Sequence, residues 1–237
     1  MTPLLAVRGE CGWTTSSARH KTNMVRLWNR LMAMDNDRIT KKVFLWDRSL
    51  CGERSWSRRI KSILDDADLL TAYENMHPCN ITYFIGKQQS DQELRWQIDI
   101  HNTPKLRTYK LLKEHFCLEN YISMNIPKHI RSAMAQFRCG VLPLRIETGR
   151  FRGEPATERT CKFCILDEIE DEFHFLLKCA LYNNLRSELY KSVNFSNNSY
   201  LSQDNLFQTL ICNFPRQTAN FIHSAFKLRQ SKFSRMY

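Results

Sequence analysis

Apolar residues recur at intervals of three and four along most of the chain, the period of helices that bury one face. Met24, Val25, Leu27, Trp28, Leu31 and Met32 form one such stripe, with Arg26, Asn29 and Arg30 opposite, and Ser17 is a suitable cap for the helix they predict. A polar break over residues 35–37 leads to a second helix with Ile39, Val43, Phe44 and Trp46 as its apolar face and Lys41, Lys42 and Arg48 outward. Ser55 or Ser57 caps a third, which carries Ile60, Ile63 and Leu64. Residues 80–86 read as a strand or a helix start, and 91–100 as helix. Pro104 suits a first helical position, followed by the stripe Leu106, Tyr109, Leu112 and Phe116. Pro127 opens a helix with Ile130, Met134 and Phe137 that Gly140 ends. Leu181, Leu185 and Leu189 predict a short helix, 194–202 a polar linker, and 204–212 and 217–233 two closing helices.

Seven glycines and seven prolines in 237 residues are too few for a sandwich or barrel of many short strands. The fold class expected is mainly α, an irregular helical bundle with a small zinc-knuckle module in the C-terminal half. Its expected segments are 1–102 (helical), 103–153 (basic helical), 154–193 (metal-binding knuckle and the helix after it) and 194–237 (a basic helical tail closing on Arg235). A net charge of +11 favours an anionic partner, with RNA or single-stranded DNA ahead of a membrane surface. The basic excess falls in residues 1–50, in 101–150 and after 200. No run of apolar residues reaches the length of a membrane span, no secretory h-region is present, and nine cysteines fit reduced thiols. The expected location is intracellular, in nucleus or cytoplasm.

One stretch changes this picture. In RTCKFCILDEIEDEFHFLLKC, residues 159–179, Cys161 and Cys164 form a Cys-x-x-Cys turn, His174 follows after nine intervening residues and Cys179 after four more. Three thiols and an imidazole make a tetrahedral Zn2+ set, closed to water and substrate and therefore structural. His174 and Cys179 are five apart, which an α-helix does not place on one face, so one of them is expected at a helix end or in a loop. Asp167, Glu168, Glu170, Asp171 and Glu172 make the intervening loop acidic, a poor contact for phosphate.

Candidate phosphate contacts lie earlier. Arg107, Lys110 and Lys113 form a basic stripe, and Arg131, Arg138, Arg145 and Arg150 follow among aromatic residues, an arrangement suited to RNA or single-stranded DNA and equally compatible with a network of carboxylates.

The strings KLRTYKLLKEHFCLENYI (105–122), QFRCGVLPLRIETGRF (136–151) and RTCKFC…EDEFHFLLKCALYNNLR (159–186) resemble the region downstream of the reverse transcriptase domain in non-LTR retrotransposon polyproteins. The last is similar to the reverse transcriptase zinc-binding region, and the N-terminal LLAVRGECGW…RLWNRLMAMDNDRITKKVFLWD resembles the stretch after the polymerase core. The resemblance implies a helical, thumb-proximal segment with Cys161, Cys164, His174 and Cys179 as ligands, helping a reverse transcriptase core to hold template RNA or target DNA. The interval before His174 is longer than the family's usual one.

No catalytic residue is expected. A polymerase of this kind needs a Tyr-x-Asp-Asp hairpin and a further aspartate to clamp two metal ions, and the nearest string, Ile63-Leu64-Asp65-Asp66, lacks the tyrosine. No Pro-Asp dipeptide, Gly-rich phosphate loop or His-Glu-x-x-His string occurs, and no small-molecule substrate is expected. The leading expectation is a non-catalytic, zinc-stabilised fragment that binds RNA or single-stranded DNA nonspecifically. The alternative is a structural or protein-interaction fragment with exposed apolar patches around Trp28, Phe44 and Trp46.

Overall fold

The structure is a computed structural model that describes residues 3–50, 52–194 and 202–233. The linker expected over 194–202 and the terminal Arg235 fall largely or wholly outside these residues. The helices are α1 (Leu4–Cys11), α2 (Ser16–Met32), α3 (Ile39–Leu50), α4 (Trp56–Asp65), α5 (Leu70–Glu74), α6 (Ile81–His101), α7 (Tyr109–Leu112), α8 (Asn120–Ser123), α9 (Lys128–Arg138), α10 (Arg145–Phe151), α11 (Asn183–Ser192), α12 (Gln203–Asn213) and α13 (Pro215–Phe233). Among the described residues extended pairing is limited to two isolated antiparallel bridges, Cys11 with Leu118 and Thr160 with Ile169. No described helix is long and apolar enough to cross a membrane. The chain divides into two compact units, Trp13–Arg95 and Met1–Gly12 together with Trp96–Tyr237.

In the unit Trp13–Arg95, the apolar stripes of α2 and α4 meet as their spacing predicts. Thr15 caps α2 by accepting from Ala18 N, and Ser55 caps α4 by accepting from Arg58 N. Trp28 is fully buried, stacked on Tyr73 and edge-on to Phe44, and its indole N–H donates to the His77 carbonyl at 3.1 Å. Asn29 donates to the Cys79 carbonyl and accepts from the Cys79 amide, so the turn before α6 is tied to α2. Of the two readings of residues 80–86, the helix start is the one adopted. One expectation fails here. The α3 faces are inverted: Lys41 is buried, donating to the Leu31 carbonyl at 2.7 Å, while Ile39, Val43 and Trp46 are exposed. Trp28 and Phe44 are core residues and form no exposed patch.

In the other unit, α9 packs along α13, and Phe137, Phe175, Phe207, Tyr182 and Phe221 interlock beneath them. Gly140, at a φ of +63°, ends α9 in the left-handed conformation that its lack of a Cβ permits. Helix α1 docks closely because Gly9 leaves room; a Cβ there would fall 2.4 Å from the Tyr109 hydroxyl and 2.5 Å from the Trp96 ring. Trp96 and Tyr109 secure the contact by donating to the carbonyls of Leu5 and Ala6.

Candidate metal centre

Residues 159–170 fold back on themselves around the Thr160–Ile169 bridge, with Cys161 N donating to the Glu168 carbonyl and Glu170 N to the Arg159 carbonyl. This short two-sided turn presents Cys161 and Cys164. The Phe163 amide points at the Cys161 sulfur, 3.4 Å away, as a knuckle that holds a thiolate requires. His174 and Cys179 come from the helical turn that follows, which Asp171 starts by accepting from the His174 amide at 2.8 Å.

That turn resolves the five-residue spacing. His174–Lys178 is a π-helical turn, closed by a 2.8 Å bond from Cys179 N to the His174 carbonyl. The wider turn brings residues five apart onto one side, and Cys179 then leaves the helix in an extended conformation.

The four ligand atoms lie within 4.8 Å of one another. Cys161 Sγ and Cys179 Sγ are 3.8 Å apart, and Cys164 Sγ is 3.4 Å from His174 Nε2. Metal–sulfur bonds of about 2.3 Å and metal–nitrogen bonds of about 2.0 Å give tetrahedral edges of roughly 3.8 and 3.5 Å, so these two pairs stand at the separations that one tetrahedral ion would need. The sulfurs are far beyond the roughly 2.05 Å of a disulfide. Cys161, His174 and Cys179 are buried and Cys164 is partly so.

Around the ligands, Glu168 Oε2 lies 3.3 Å from His174 Nδ1, which turns Nε2 toward the sulfurs, and Lys178 Nζ holds the other Glu168 oxygen at 3.0 Å. A carboxylate behind a ligating imidazole fixes its tautomer and orientation. The Lys178 hydrogen bond keeps the Glu168 carboxyl below its ordinary range. A hydrogen bond to Cys179, with burial, pushes the Cys161 thiol up to about 12, while Cys179, which accepts it, is held below the usual thiol value. Arg186 of α11 braces the turn from outside, donating to the carbonyls of Leu176 at 2.9 Å and Cys179 at 2.8 Å. Glu168→Ala is expected to weaken metal retention by about 10- to 100-fold, measured by competition with a chromogenic chelator; unchanged retention would show that the imidazole needs no such support.

Two carboxylates of the acidic loop are spent inside the fold, while Asp167 stays exposed and Glu168 and Asp171 partly so. Glu172 is fully buried and receives both Arg107 Nη2 contacts, at 2.8 and 2.9 Å, with Thr108 Oγ1 at 2.9 Å. Glu170 is buried and gripped by Arg229 through two 2.8 Å bonds, and it also accepts from Arg145 N. Burial raises the Glu172 pKa, and Arg107 opposes the shift.

The basic residues singled out from sequence are correspondingly redistributed. Arg138 is fully buried against Glu10 and Glu119, and Lys113 is buried against Glu119 and the Cys117 carbonyl, so neither side chain reaches a phosphate in this fold. Arg107 is committed to Glu172, and Arg145 is paired with Glu154 at 2.8 Å. Lys110 is half-exposed, Arg131 is half-buried with a 3.3 Å bond to the Ile122 carbonyl, and Arg150 is exposed beside Glu147 and over the Phe151 ring. A better-exposed row lies elsewhere. Arg19, Asn23, Arg26 and Arg30 share one face of α2, a helix without a carboxylate, and the three arginines are exposed and form no ion pair among the described residues. Their i, i+4, i+7, i+11 spacing is legible in the sequence, although the arginines are denser after residue 100.

Comparison with family models, with curated proteins and with solved structures finds no match.

Proposed function

We propose that the chain is a non-catalytic helical protein in which Cys161, Cys164, His174 and Cys179 hold one structural Zn2+, and which binds RNA or single-stranded DNA through its phosphates without sequence preference. The single observation that carries the metal is the tetrahedral spacing of four soft donors with a carboxylate behind the imidazole. Borderline-soft Zn2+ suits three thiolates and an imidazole better than the harder Mg2+ or Ca2+. All four tetrahedral positions are supplied by the chain, so the ion's role is to join the 159–170 turn to the helical turn after it, with no position left for a substrate. The resemblance to the region downstream of a retrotransposon reverse transcriptase agrees with this reading and makes a reverse transcriptase core a candidate partner.

The nucleic-acid part is supported by the net charge of +11 and by the arginine row on α2. Arg19 to Arg30 spans about 16 Å along the helix axis, enough to follow several phosphates. In a binding titration against an unstructured RNA, log affinity is expected to fall linearly with log salt. The triple variant Arg19→Ala, Arg26→Ala, Arg30→Ala is expected to reduce that slope by about 2, at about 0.7 per lost single-strand contact. An unchanged slope would remove α2 from the contact, and salt-independent binding would remove the electrostatic account altogether.

A further inference from the structure

The inverted helix α3 carries an inference independent of the zinc and nucleic-acid readings. Ile39, Val43, Trp46 and Leu50 stand on one face of α3 at i, i+4, i+7 and i+11, with exposures of 80, 55, 64 and 58%. The opposite side spends its core contact on Phe44 and on Lys41, whose ammonium is buried on a carbonyl. A helix that buries a lysine while presenting four large apolar side chains at seam spacing gives up burial energy on both faces unless the seam is covered.

We propose that this seam pairs with the same seam of a second copy of the chain, the two α3 helices running parallel. In heptad terms Ile39 and Trp46 take d positions and Val43 and Leu50 a positions; Val43, β-branched at a, suits a two-stranded pairing. The residues that flank the seam then decide the occupant. Lys42 falls at g and Asp47 at e, on opposite sides of the stripe. In a parallel pair the g residue of one helix meets the e residue five positions further along its partner, so Lys42 meets the second copy's Asp47, twice by symmetry. Lys42 is well exposed, its Asp37 contact within the chain being a loose 3.9 Å approach by an exposed carboxylate. Asp47 Oδ2 accepts from the Ser57 amide at 2.8 Å. An antiparallel pair would instead set Lys42 beside Lys42 and Asp47 beside Asp47. A membrane surface would favour a uniformly basic rim, which a lysine facing an aspartate does not make.

Under two heptads of seam make a small contact, so dissociation on the order of 10 µM is expected, in the weak class of interfaces below about 1,200 Å2. Sedimentation equilibrium of the full chain is expected to show a monomer–dimer equilibrium that Trp46→Asp and Val43→Asp each weaken more than tenfold without loss of helical circular dichroism, both side chains being outside the core. Lys42→Glu is expected to weaken dimerisation several-fold and to invert its salt dependence, whereas an antiparallel seam would be indifferent to it. A wild-type chain that stays monomeric at ten times the expected midpoint overturns the proposal in favour of a different protein on the seam. A dimer that survives Trp46→Asp, or that ignores Lys42→Glu, overturns it as well.

Discussion

Cys164→Ser is expected to purify without metal, where the wild-type chain is expected to carry one equivalent of zinc, and to lower Tm by at least about 10 °C, each kcal/mol being worth about 2–4 °C in a chain of this size. The reason is topological. The 159–170 turn and the His174–Lys178 turn are each too short to hold themselves, and the four ligands are the point where they converge. The effect is expected to be reproduced by a strong chelator on the wild type and reversed by added Zn2+. Metal analysis paired with a thermal melt decides the matter: a wild type free of metal whose melt ignores chelator would sink the zinc reading.

Arg138→Ala is expected to cost about 3–5 kcal/mol of stability, the second large effect, because it strands the buried Glu10 carboxylate. The Arg138 guanidinium meets both oxygens of Glu10 at 3.1–3.2 Å and Glu119 at 3.0 Å, and it lies over the Tyr121 ring, whose hydroxyl donates to Glu10. Burial alone would lower the arginine's pKa; the two glutamates more than offset it, so its charge is held. Removing the cation leaves Glu10 with no compensating charge. The double variant Arg138→Met, Glu10→Gln is expected to recover much of the loss, since a neutral, well-packed replacement avoids the desolvation of both charges and leaves Glu119 paired with Lys113. Urea denaturation reads both. If Arg138→Ala instead left the unfolding midpoint unchanged and reduced RNA affinity, the guanidinium would have to face solvent.

Much of the helical framework was legible because local spacing alone defines it. In α2, α4 and α9 one stripe of apolar residues has a single polar opposite, and Ser55 before α4 and Gly140 after α9 mark ends, although α2 is capped by Thr15 and not by the expected Ser17, which lies inside the helix. In α3 that logic chose the wrong face. Ile39, Val43, Trp46 and Phe44 leave two possible inner sides, and the chain packs Phe44 inward with Lys41, whose long stem reaches the Leu31 carbonyl near the end of α2. The metal cluster was legible from four residue types and their intervals; what permits it, a π turn between His174 and Cys179, was not, because widening one turn by a residue leaves no mark in composition.

The arginines mark the limit most clearly. Their density fitted a nucleic-acid surface and a carboxylate network equally well, and the sequence named no partners: Arg107 meets a carboxylate 65 positions away, Arg229 one 59 away and Arg138 one 128 away. By itself the sequence determined the helical class, most helix positions, the basic balance and the identity of the four clustered Cys and His residues, all of which depend on residues within a few turns of one another. Only the tertiary structure decided which charges are spent inside, which face of α3 is bare and how the ligands converge. Each of these depends on groups distant along the chain, whose meeting is set by packing and by the cost of leaving a buried charge without its partner.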